Sequence, residues 1–179
     1  MLILRQSMKK SLKKLVLTSV LCAVSLCILI LAPYVPSVTV SLAAVAGLFV
    51  AVAFIECGIK YAFLGYVTVG LLSAVFVSDK TVACMYIFFF GHYPIFKGWC
   101  ESMRRVWVEF LLKLLCFNIA LFLCYYVACV LGAAPALPDI PFVYPIVTVL
   151  ANAVFLLYDF GFSRLISLYR RYFDRRYRK

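Results

Sequence analysis

The sequence predicts an all-α, polytopic membrane protein with six transmembrane helices and both termini on the cytoplasmic side. Three observations predict it. Of the 179 residues, 66% are apolar and only 14% are charged, with a mean hydropathy of +1.06. That leaves too little polar material to coat a soluble domain. The apolar residues run in long stretches, and a helix needs about 20 of them to cross a hydrocarbon core of ~30 Å. The basic residues gather in alternate breaks between the stretches, the pattern of cytoplasmic loops.

The first stretch, Leu15 to Ala32, comes after Lys9, Lys10, Lys13 and Lys14. Its 18 residues exceed a usual signal-peptide core and lead into "PYVPS" rather than a small-x-small cleavage site, so a retained first span is expected. The other spans are expected at Thr39 to Ile55, Gly58 to Val77, Thr81 to Phe96, Val106 to Leu131 and Phe142 to Phe162. Turn chemistry separates them: two prolines in "APYVPS", the charged "VSDK", and the proline-rich "GAAPALPDIP". Reading Thr39 to Val77 as one element would demand a single span of 39 residues, far too long. With six spans, Arg5, the four N-terminal lysines, Lys60, Lys97, Arg104, Arg105, Arg164 and the tail "RRYFDRRYRK" fall inside, and only Lys80 falls outside. The organisation is therefore a basic N-terminal segment (1–14), a six-helix membrane domain (15–163) and a basic C-terminal tail (164–179).

The net charge of +11 does not imply nucleic acid. The cations flank apolar spans, where they set topology and meet anionic lipid head groups, and no phosphate-binding loop or RNA-binding aromatic motif accompanies them. The eight cysteines lie mostly inside apolar runs with no CxxC, as small reduced core residues. No GxSxG, HExxH or Walker motif occurs, so no enzymatic activity, metal or cofactor is expected.

Several polar residues stand out against this background. Glu56 and Lys60 sit four apart in "FIECGIKY", the turn expected between spans two and three. Glu109 and Lys113 repeat that spacing at the start of span five, and Asp159 lies near the end of span six. These five are either separate topology signals or one charge network at the cytoplasmic rim, because charges within spans face the bundle interior and pair. Asn118 and Asn152 fall near the middles of spans five and six. They are expected to bond between helices or, with Thr148 and Tyr144, to line a substrate cavity. The only histidine, His92 in "FFFGHYPIFKG", lies between Gly91 and Pro94, which should kink or end span four. "WCESMRRVWVEF" sets Trp99 and Trp107 beside Arg104 and Arg105, an interfacial pattern.

Span one offers "SVLCAVSLC", with Ser19, Ala23 and Cys27 at four-residue spacing, a small-residue stripe that permits close helix approach. Together with the whole-chain plan, it resembles the substrate-binding S components of bacterial energy-coupling-factor transporters. That resemblance implies a subunit that captures a small molecule for a multi-component uptake transporter, docking through the stripe onto a membrane coupling subunit with its ATPases. A second resemblance, to the small rod-shape protein of the cell-wall elongation machinery, implies the alternative of a non-catalytic membrane scaffold. The topology itself is directly testable. Cysteine-accessibility labelling at Ser37, Lys80 and Ala136 should read outside, and at Gly58 and Ser102 inside; an outside signal at Ser102 overturns it.

Overall fold

The computed structural model describes residues 2–101, 105–132 and 143–177, in two compact units, Met1–Ala134 and Pro135–Lys179. The first unit holds helices α1 (Leu2–Leu31), α2 (Thr39–Cys57), α3 (Ile59–Phe76), α4 (Lys80–Met85), a π-helical segment (Tyr86–Phe90), α5 (Tyr93–Cys100) and α6 (Val106–Val130). The described residues of the second unit form one helix, α7 (Val143–Tyr177). Every regular element among the described residues is helical. Among the described residues, five stretches are long and apolar enough to cross a membrane: Met8–Tyr34, Pro36–Cys57, Ile59–Phe76, Trp107–Val130 and Pro145–Tyr169. They match expected spans one, two, three, five and six. The proline-rich break before the last span lies outside the described residues.

Both basic ends continue their helices: α1 already begins at Leu2 and α7 runs on to Tyr177. Neither end contains a glycine or proline, and lysine and arginine are good helix formers, so nothing halts the backbone ladder at the membrane boundary. The connections are set by local chemistry. Two 3₁₀ turns, Ala32–Tyr34 and Pro36–Val38, each begin with a proline in their first two positions. Gly58, at φ +93°, turns α2 into α3 through a conformation that side chains disfavour. Lys14 Nζ donates to the Cys57 carbonyl at 3.2 Å, satisfying an acceptor at the α2 C-terminus. In "VSDK", Asp79 accepts from the Thr81 amide at 2.8 Å and caps α4, while Lys80 Nζ donates to the Ala74 and Val77 carbonyls at the end of α3.

The fourth expected span is broken rather than continuous. The Gly91 amide reaches five residues back to the Tyr86 carbonyl at 2.7 Å, closing a π turn. Pro94 has no amide to give, and the ladder resumes when Ile95 and Phe96 both bond the His92 carbonyl. The kink expected at Gly91 and Pro94 is therefore present, and it starts earlier, at Tyr86.

Much of this broken run is buried in the interior of the first unit. Val82, Ala83, Cys84, Tyr86, Phe89, Phe90, Tyr93, Lys97 and Cys100 are all buried, with α2, α3 and α6 packed along it. Phe89 stacks edge-on against Phe117 of α6 at 5.2 Å and lies 4.9 Å from Tyr93. Close approach to α2 depends on Gly47, where a Cβ would run into the Phe90 carbonyl oxygen. Gly47→Ala should therefore push the π segment away, at a cost of about 1–3 kcal/mol. Gly70→Ala should be tolerated, because its Cβ would meet the Ile87 side chain at an ordinary 3.5 Å. Thermal unfolding in detergent checks this, and equal melting temperatures for the two variants would contradict it.

Candidate functional site

The π turn has a chemical consequence. In an unbroken α-helix the Gly91 amide would bond the Ile87 carbonyl; here it bonds Tyr86, and the Ile87 carbonyl turns to other donors. The Tyr66 hydroxyl, from α3, donates to it at 2.8 Å. The His92 ring lies beside the same carbonyl and meets the Tyr66 ring edge-on at 6.1 Å. His92 Nε2 is 3.7 Å from Cys116 Sγ of α6. Beside this group opens a cavity of about 400 Å³. Tyr66 forms one wall, and Ile87, Phe88, His92 and Phe96 of the broken run form another. Leu112, Leu115, Cys116, Ile119, Ala120 and Leu123 of α6 complete it.

A second polar centre joins α5 to α6. Lys97 is 1% exposed and its Nζ lies 3.3 Å from Glu101 Oε1. Lys113, 6% exposed, lies 2.6 Å from Glu109 and 3.8 Å from the same Glu101 oxygen. Lys97 also approaches the Tyr93 ring, at 5.9 Å from its centroid. Glu109 and Lys113, four apart on α6, are thus in contact. One expectation needs correction: Lys97, read as a loop cation, belongs to α5 and is buried. The hydrophobic packing of α5 carries it inside, where Glu101 compensates its charge. Neither Lys97 nor Glu101 entered the expected network. Their signal was present, since Lys97 and Glu101 repeat the four-residue acid–base spacing of the other pairs.

Glu56 and Lys60 flank the Gly58 turn, Glu56 half-buried and Lys60 exposed. Asp159 lies on α7 in the second unit, where its carbonyl accepts the Ser163 hydroxyl at 3.0 Å. Asn118 donates to the Leu114 carbonyl and Asn152 to the Thr148 carbonyl, both at 2.8 Å, one turn back on their own helices. Asn118 is not among the residues lining the 400 Å³ cavity. Asn152 and Thr148 belong to the second unit, and the Tyr144 side chain lies outside the described residues. On α1, Thr18, Ser25 and Leu29 are buried, and the Ser25 hydroxyl donates to the Ala46 carbonyl of α2 at 3.0 Å. Ser19, Ala23 and Cys27 lie on another face and are all exposed. No cysteine is in a disulfide, and among the described residues no three His, Cys, Asp or Glu side chains gather closely enough to hold a metal ion. Trp99 and Trp107 are exposed.

Comparison with known protein families, with characterised proteins and with solved structures finds no match. The class is therefore defined by fold and site geometry alone: the described residues are helical, five of the helices are long and apolar enough to cross a membrane, and in the first unit α2, α3 and α6 pack along a buried, broken run. Within its charge centre, Lys113→Ala should lower stability by about 1–3 kcal/mol, because it strips a poorly hydrated site of the cation that Glu101 and Glu109 share. That is less than the ~3–5 kcal/mol of a fully buried pair, since both carboxylates retain contact with solvent. Lys60→Ala should stay within about 0.5 kcal/mol. Unfolding in mixed detergent measures both, and equal effects would contradict the distinction.

Proposed function

We propose that the protein captures a small molecule in the bilayer, in the cavity beside the broken helix, as one subunit of a multi-component uptake transporter in a bacterial cytoplasmic membrane. The observation that carries this is the coincidence of the cavity with the π turn. Irregular backbone at membrane depth is tolerated where it is buried in protein or lines a cavity. π turns concentrate at functional sites, and discontinuous helices build the binding sites of many transporters. A scaffold that only organises other proteins needs no such space in its interior and no imidazole at its edge.

The topology belongs to the same proposal. Lys80 to Cys100 would span roughly 30 Å at ~1.5 Å per residue, enough to make the broken run the sixth crossing. Six crossings put both basic termini in the cytoplasm, in line with the positive-inside rule. The exposed Ser19, Ala23 and Cys27 then offer a surface of small side chains on which a membrane coupling subunit could pack closely. Its associated ATPases would supply the energy.

Native mass spectrometry of the protein released from detergent tests the capture step. The wild-type protein should retain a non-covalent small-molecule adduct. Ala120→Phe, which places a ring in the cavity from the buried Ala120 position, should lose it while keeping its melting temperature within a few degrees. Absence of any adduct on the wild type, or its persistence in Ala120→Phe, would contradict capture at this cavity.

A further inference from the structure

We infer that the ligand of this cavity is a lipophile reaching it from the hydrocarbon layer, with a hydroxyl group at one end that donates to His92. The inference rests on the capture reading above and adds a chemical class and a route of access. The rim defines the route. Leu115 and Ile119, one turn apart on α6, line the cavity and are 59% and 52% exposed. They lie inside the Trp107–Val130 membrane stretch. An opening edged by exposed aliphatic side chains at that depth faces acyl chains, not water. A strongly hydrated solute would have to shed its water before reaching it, at several kcal/mol per unpaired polar group.

The lining sets the class. Among the described residues that line the cavity, Tyr66, His92 and Cys116 bring side-chain polar atoms to it. The Tyr66 proton is committed to the Ile87 carbonyl at 2.8 Å. The His92 ring lies beside that same carbonyl, and the tautomer with its proton on the nitrogen nearer the carbonyl carries its lone pair on the other. Among the described residues, the hydrogen-bond partner of Nε2 is a thiol, at 3.7 Å, and a thiol is a weak donor. A hydroxyl is the stronger donor and would displace it. Among the described residues no side chain with a full charge lines the cavity, so an ionic head group would enter without a counter-charge from them. A volume of about 400 Å³ lies at the small end of ligand pockets. It suits one chain or ring system rather than a two-tailed lipid. A neutral fatty or isoprenoid alcohol has the required chemistry.

The test uses the full chain in nanodiscs with a diazirine-bearing long-chain alcohol. Labelling should map to the α6 peptide containing Cys116 and Ile119. Unlabelled dodecanol should compete about three- to tenfold better than its methyl ether, the ratio that one net hydrogen bond supplies. His92→Phe should abolish that preference while labelling persists. Cys116→Ala, which removes the competing thiol, should keep or widen the preference, and it stands in should His92→Phe fail to fold. Equal competition by alcohol and ether on the wild type would overturn the hydroxyl contact. Labelling that misses α6 would overturn access from the bilayer. If α6 labelling fails while the native-mass adduct survives, capture stands with a ligand of a different class. If both fail, the cavity does not capture a ligand at all.

Discussion

One displaced backbone hydrogen bond organises the first unit. Because the Gly91 amide reaches Tyr86 instead of Ile87, the run gains a residue in one turn. Such an insertion rotates the downstream helix by about 100° relative to the upstream one. The freed Ile87 carbonyl becomes the anchor for Tyr66, which ties α3 to the break. The bulged backbone needs room against α2, and Gly47 leaves it beside the Phe90 carbonyl. Past the break, His92 meets Cys116 of α6, and Lys97 meets the carboxylate that it shares with Lys113. Cavity and charge centre are both consequences of how that one run is threaded through its neighbours.

Four lysines of the first unit follow a common rule. In this apolar chain Lys14, Lys80, Lys97 and Lys113 each find an oxygen, whether a carboxylate or a carbonyl at a helix end. Lys14 caps α2, Lys80 caps α3, and Lys97 and Lys113 bracket Glu101. Where desolvation is costly, an uncompensated ammonium is the expensive alternative. Positive residues that look like orientation signals therefore also finish helices and join them. Helix ends collect carbonyls without intrahelical partners, so an ammonium placed there finds an acceptor.

What the sequence by itself determined is the set of properties that depend on a residue and its near neighbours. The apolar stretches, and with them five membrane-length helices, are legible because burial in hydrocarbon demands unbroken apolar runs of a certain length. The Gly58 and Asp79 turns are legible because backbone conformation and capping are settled within a few residues. The Glu109–Lys113 pair is legible because a helix brings side chains four apart onto one face. Only the tertiary structure decided the rest. "YIFFF" carries no local mark of a π turn; the turn persists because α2 offers a glycine where it bulges and α3 offers a hydroxyl for its freed carbonyl. Lys97 is buried because the packing of α5 against its neighbours outweighs the local polarity of "FKGWCES". His92 and Cys116, 24 positions apart, meet because two helices cross beside a cavity. Such a cavity is the space left between elements that each pack elsewhere, so no single stretch of sequence encodes it.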